Sequence, residues 1–196
     1  MRARIPLIAP LGLTAGAMLL LLSATAGAGT VATFADPAAD GSTPLFTLLG
    51  DTLSGGWAGT GLDLITPITN DVYPDATLAM TDLAVGPLGV TSGGTIEFFD
   101  NGGSLILRID FDSAVLYDPF GFGASQLAGN DVVFSGPIIT YPLVEQAFAF
   151  SFANQVNLPN GYTWTAAFTS SAIPEPATAA LLGLAGVALA IGRRRL

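Results

Sequence analysis

The sequence has no cysteine and no histidine, and none of its 196 residues is lysine. Those absences remove whole classes of chemistry. Without histidine, cysteine or lysine there is no Ser-His-Asp triad, no thiol nucleophile, no Schiff base and no Ser-Lys pair. Zinc sites of the histidine or cysteine type go with them. Disulfides are excluded too, so stability rests on apolar packing. Positive charge is nearly as scarce: Arg108 is the only basic residue between Arg4 and Arg193. The formal net charge of −9 therefore understates how acidic the central region is. Such a region is repelled by phosphate backbones and anionic headgroups, and no nucleic-acid partner is expected. Carboxylate acid–base work and oxygen-ligand calcium binding stay chemically open.

The two ends differ in texture from everything between them. Met1-Arg2-Ala3-Arg4 precedes a largely apolar stretch from Ile5 to Leu22, followed by Ser23-Ala24-Thr25-Ala26-Gly27-Ala28. A charged start, an apolar run and small residues are the three parts of a signal peptide, so residues 1–28 are expected to be an N-terminal signal helix for the secretory translocon. Cleavage by signal peptidase fits after Ala26 or Ala28, with Ala28 preferred. At the other end Pro174-Glu175-Pro176 is followed by an apolar run from Ala177 to Gly192 and then Arg193, Arg194 and Arg195. The prolines hold the preceding chain extended and mark a helix start. A helix over 177–192 reaches about 24 Å, a short transmembrane span. Terminal arginines stay in the cytoplasm by the positive-inside rule, as do Arg2 and Arg4 during translocation, which puts the body outside.

Pro174-Glu175-Pro176, the Ala/Leu/Gly run and the arginine cluster resemble the PEP-CTERM sorting tail of exported bacterial proteins, over about 24 residues. The resemblance implies recognition by an exosortase, a membrane protease or transpeptidase, and removal of the tail. It makes Pro174, Glu175 and Pro176 the recognised sorting motif and Arg193, Arg194 and Arg195 a cytoplasmic anchor. The protein is then transiently held in the inner membrane before it reaches the cell surface or the extracellular polysaccharide. The family shares its tail and not its body.

Residues 29–171 read as an all-β extracellular domain, and residues 172–196 as the tail. Short β-type runs are punctuated by Gly, Thr, Ser, Asp and Asn, which points to an antiparallel β-sandwich, jelly-roll-like, of one domain. Phe148, Phe150 and Phe152 alternate with Ala147, Ala149, Ser151 and Ala153; Tyr162, Trp164, Ala166 and Phe168 alternate with Thr163, Thr165, Ala167 and Thr169. Period two with one apolar face predicts two half-buried strands, joined by a loop over Asn154 to Gly161. A second hairpin is expected from Thr95 to Asp112 around Asn101-Gly102, a type I′ turn signal. Pairing Phe99 with Ser104 sets Phe98 opposite Leu105 and Ile96 opposite Leu107. It leaves Glu97 diagonal to Arg108, its partner. Further strands are expected at Leu45–Leu49, Trp57–Ile65, Thr77–Leu83, Ala114–Tyr117 and Asp131–Ser135, with a long loop over Asp118–Asn130.

Three clusters invite a functional reading. Arg108, Asp110 and Asp112 share one strand face, with the two Asp Cα atoms about 7 Å apart. Two carboxylates so placed can flank a glycosidic bond, although a solvated charged face explains them more simply. Asp100-Asn101-Gly102-Gly103 and Asn130-Asp131 carry oxygen ligands suited to calcium, yet lack the spaced carboxylates of an EF-hand, and turn chemistry accounts for both. Trp57, Tyr117 and Phe120 are candidate sugar-stacking rings, against the commoner role of aromatic residues as core. No catalytic, cofactor or metal residue is assigned. The leading expectation is a non-enzymatic surface protein; the alternatives are a carbohydrate- or calcium-binding adhesive module and, last, a carboxylate-dependent glycan hydrolase.

Overall fold

The computed structural model describes residues 27–38, 43–117 and 126–175. The expected signal segment up to residue 26, the expected tail helix from Ala177 with Pro176, Arg193, Arg194 and Arg195, and Phe120 lie outside the described residues. Among the described residues no helix is long and apolar enough to cross a membrane.

The alternating segments form long strands. Phe148 and Phe150 are buried on β11 (Leu143–Leu158), and Trp164, Ala166 and Phe168 on β12 (Gly161–Pro174). Before them come β8 (Val90–Phe99), β9 (Leu105–Tyr117) and β10 (Gln126–Ser135). The glycine- and threonine-rich first half gives shorter strands: β1 (Gly29–Phe34), β2 (Phe46–Leu49), β3 (Thr52–Trp57), β4 (Leu64–Thr66), β5 (Asp71–Tyr73), β6 (Thr77–Met80) and β7 (Leu83–Ala84).

The fold is all-β and antiparallel, as the pattern implies, but its strands do not separate into two sheets. The order β11-β10-β9-β8-β6-β3-β2-β12 closes because β12 also pairs with β11, giving an eight-strand barrel with β1, β4, β5 and β7 added outside the ring. Closure follows from the length of β12. One edge pairs with β11 from Gly161 to Pro174; the other pairs with β2 through Gly161–Trp164 and with β1 through Phe168–Ala172. A closed ladder removes the free edges that an open sheet must protect.

Phenylalanine fills the interior. Phe168 stacks on Phe34 with ring centroids 5.5 Å apart and meets Phe98 at 5.1 Å and Phe150 at 4.9 Å. Phe150 in turn meets Phe46 at 4.9 Å. These tilted and edge-on geometries suit the ring quadrupoles and add about 0.5–1.5 kcal/mol per pair beyond burial.

Several local expectations give way. Asn154 to Leu158 is strand, not loop: a bulge between Ala153 and Val156, with Asn154 at φ 51°, lets β11 continue to a tight turn at Pro159-Asn160. The strand expected over Trp57–Ile65 is broken, since β3 ends at Trp57 and β4 begins at Leu64. Thr77–Leu83 divides between β6 and β7, and Gln126–Asn130 belongs to β10 instead of a loop. In the β8–β9 hairpin Phe99 pairs with Leu105 and, after a bulge, Phe98 with Leu107, so Glu97 lies directly opposite Arg108. The turn is not type I′. Asp100 Oδ1 accepts from the Gly102 and Ser104 amides, and only Gly103 has a positive φ, 83°.

Candidate functional site

The chemistry-bearing surface with the richest side-chain set is the far end of the β11–β12 hairpin. Its sequence, Phe152-Ala153-Asn154-Gln155-Val156-Asn157-Leu158-Pro159-Asn160-Gly161-Tyr162-Thr163-Trp164, places four amides between aromatic residues. Strand alternation makes Phe152, Tyr162 and Trp164 neighbours: Phe152 stacks on Trp164 at 5.1 Å with an interplanar angle of 18°, and Tyr162 tilts against Trp164 at 5.8 Å. Trp164 is fully buried and anchors the stack, while Phe152 and Tyr162 are partly buried and pack against the core.

Hydrogen bonds fix the amides around these rings. The Trp164 indole donates to Gln155 Oε1 at 3.0 Å, Gln155 Nε2 donates to Asn157 Oδ1 at 3.2 Å, and Asn154 Nδ2 donates to Thr165 Oγ1 at 2.9 Å. The bulge at Asn154 is what brings Gln155 within reach of the indole, because it turns an otherwise outward residue toward the ring. Val156 and Leu49 stand exposed beside this rim, at 52% and 53% of full accessibility. A rigid aromatic face bordered by neutral amides can stack on an apolar ring face and exchange hydrogen bonds with hydroxyls.

The first two residues of the sorting motif sit at the opposite end of β12. Pro174 is the last residue of the strand, paired with Leu143, and the Glu175 amide donates to the Pro142 carbonyl at 3.0 Å. Pro174 also borders a groove of about 310 Å³, with Gly29, Ile68, Tyr141 and Ala172 among its walls. Because Gly29 pairs with Ala172, the chain enters and leaves the barrel side by side.

The charged cluster on β9 is an ion-paired patch. Arg108 Nε donates to Asp110 Oδ2 at 2.9 Å, Arg108 Nη2 to Asp110 Oδ1 at 2.8 Å, and Arg108 Nη1 to Glu97 Oε1 at 3.1 Å. Thr95 Oγ1 adds a bond to Asp110 Oδ1 at 2.8 Å. The Arg108 hydrogen bond holds the Asp110 carboxyl below the usual carboxylate range against the opposing pull of partial burial, and the Thr95 bond helps. A general acid in glycoside hydrolysis needs the opposite shift. Asp112 is exposed on the same strand.

Asp100 spends one carboxylate oxygen on its turn, and Asn130 Nδ2 contacts Ser113 Oγ at 3.4 Å beside Asp131, which has φ 50°. Among the described residues no three acidic side chains gather as metal ligands. Trp57 is core, only 8% exposed, with an indole N–H that has no acceptor among the described residues. Tyr117 is half-exposed at the opposite end of β9 from Arg108.

Comparison with known proteins supplies no relative: no family model matches the chain, and neither a curated protein nor a solved structure does. The aromatic and amide rim was hidden in the sequence because Asn154 to Gly161 reads as a loop. The available signal was Gln and Asn recurring directly between two strands whose inward residues are aromatic.

Proposed function

We propose that this chain is an exported surface protein, sorted through its C-terminal tail, whose barrel is a binding module for neutral extracellular glycans. One observation carries the binding role: the Phe152–Trp164–Tyr162 stack edged by Gln155 and Asn157. The part of these rings left open to solvent offers a stacking surface for the C–H side of a sugar, and amides donate and accept for its hydroxyls. Charge selects the glycan class. A body whose one cation, Arg108, is already tied to Asp110 and Glu97 repels uronic-acid and sulfated polymers.

Export and sorting are supported by the residues themselves: the Arg2/Arg4 start and apolar run at one end, and Pro174-Glu175-Pro176 with its apolar run and Arg193, Arg194 and Arg195 at the other. A signal peptidase and an exosortase-type membrane protease are the partners this reading requires. In this reading the body binds without catalysing, and the ion pair of Asp110 with Arg108 argues against Asp110 as a general acid.

A glycan array with the intact protein tests the binding role. Retention on neutral polysaccharides that Tyr162→Ala abolishes, in a variant that still unfolds cooperatively, is the expected result. Preference for anionic polymers, or indifference to Tyr162→Ala, overturns it and leaves a purely structural body. Intact mass spectrometry of protein from native membranes and medium tests sorting. The mature form is expected to start near Gly27 or Gly29 and to end near Pro174–Pro176; a chain extending to Leu196 refutes tail removal.

A further inference from the structure

Strand β12 runs past the barrel's last core residue into the sorting motif, and the hold on the chain weakens in steps along it. Ser171 is paired on both sides, with Thr30 of β1 and Ala147 of β11. Ala172 is buried and pairs with Gly29. Among the described residues Ile173 and Pro174 pair only with β11, through Val144 and Leu143, and the Glu175 amide bonds to the Pro142 carbonyl.

Chains captured in extended form are held by main-chain hydrogen bonds to a strand edge, as in β-augmentation, and a protease cleft that takes its substrate this way needs a free backbone. Backbone already committed to β1 and β11 cannot enter such a cleft until it peels away, and opening becomes harder toward the paired interior of the strand.

We infer that the folded barrel fixes where the tail is cut: bonds up to Ile173–Pro174 are shielded, the scissile bond lies C-terminal to Pro174, and the mature body keeps Pro174. This rests on the tail-removal reading above. In the cut itself the peptide C–N bond breaks, water supplies the hydroxyl of the new carboxyl and the proton of the new amine, and an acceptor amine takes the place of water if the body is transferred instead of released.

The shield depends on β1, which begins at Gly29, the residue that follows the preferred signal-peptide cut at Ala28. A register shift between Thr30 and Thr33 would leave the buried Ala32 backbone unpaired. Ser170 Oγ fills the gap, accepting from the Ala32 N–H and donating to the Ala32 carbonyl, both at 3.0 Å. Loosening this clasp therefore frees the root of the sorting motif.

The decisive experiment digests the full chain in detergent micelles with a protease of broad specificity and reads the resistant fragment by intact mass. Its C-terminus is expected at Pro174 or later. In Ser170→Ala, cleavage upstream of Pro174 is expected to run on the order of tenfold faster, as loss of a buried hydrogen bond implies. A wild-type resistant core ending at Ile173 or earlier overturns the inference, whether or not the variant folds. In protein from native cells, a terminus at Pro174, Glu175 or Pro176 supports the inference and one at Ile173 or earlier overturns it. A native chain still ending at Leu196 refutes tail removal and leaves the digestion result to decide the shielding.

Discussion

The Ser170 hydroxyl stands in for a missing pair of ladder bonds, so its removal leaves a buried donor and a buried acceptor on Ala32. Ser170→Ala is expected to cost about 1–3 kcal/mol, measured by denaturant unfolding. Gly161 is constrained by a different contact: a Cβ there would lie 1.8 Å from the Leu48 carbonyl oxygen, a backbone atom with little freedom to yield. Gly161→Ala should therefore destabilise by roughly 1–3 kcal/mol in the same measurement, although its φ is ordinary. Asp110 makes a prediction in pH. Its folded-state pKa is depressed by Arg108, so its stabilising effect is present above the unfolded value of about 3.9 and is lost as pH falls through the lower folded value. With its side chain 43% exposed the pair is screened, and Asp110→Asn should cost no more than about 1 kcal/mol at pH 7. That difference should close in acid titrations carried below the depressed pKa. Of these residues only Asp110 and its cation could be singled out from sequence, because opposite charges on a strand are visible as letters. The Ser170 clasp and the Leu48–Gly161 approach both depend on partners more than a hundred residues apart in sequence.

At the level of elements, sequence period was a good guide wherever one face stayed apolar. Phe148, Phe150, Trp164, Ala166 and Phe168 all turn inward as their alternation implies. It failed wherever a single residue shifts the phase. Leu107, Ile109 and Phe111 are buried on β9, then Ala114 and Leu116; on β10 Leu127 is buried, then Val132 and Phe134. Both changes lie beside Asp131, whose φ of 50° turns the backbone out of the β region; Asn130-Asp131 reads as turn chemistry, but its letters do not say that the strand continues through it. The hairpin register went astray for a similar reason: the Asp100 side chain captures two amides and selects a different turn from the one Asn101-Gly102 suggests. The Pro87-Leu88-Gly89 turn holds an opportunity for stabilisation. Leu88 is 96% exposed and sits at φ 62°, a left-handed conformation that costs a branched side chain roughly 1 kcal/mol and gives it no packing in return. Leu88→Asn should raise stability by about 0.5–1 kcal/mol, seen as a higher unfolding midpoint with the denaturant slope unchanged. A lower midpoint would mean that Leu88 is held by something other than its own turn.

Across the whole molecule, closure could not be read from strand patterns, because the same alternation serves a sandwich or a barrel. What decides it is that β12, fourteen residues long, meets β11 along one edge and both β2 and β1 along the other. This has a consequence for connectivity. β1 and β12 are antiparallel neighbours with Gly29 opposite Ala172, so a short Gly/Ser linker from Glu175 to Gly27 would turn the pair into an ordinary hairpin. New ends can be opened at Asn101-Gly102, where the turn is exposed and its bonds are local. The body permuted in this way should unfold in one cooperative step with the denaturant slope of the unpermuted body, since the slope follows the surface exposed and the same barrel is lost. Its midpoint should fall modestly, because opening that turn releases the Asp100 bonds to Gly102 and Ser104. A reduced slope or two separate transitions would show that β1 and its companions outside the ring fold apart from the eight-strand barrel.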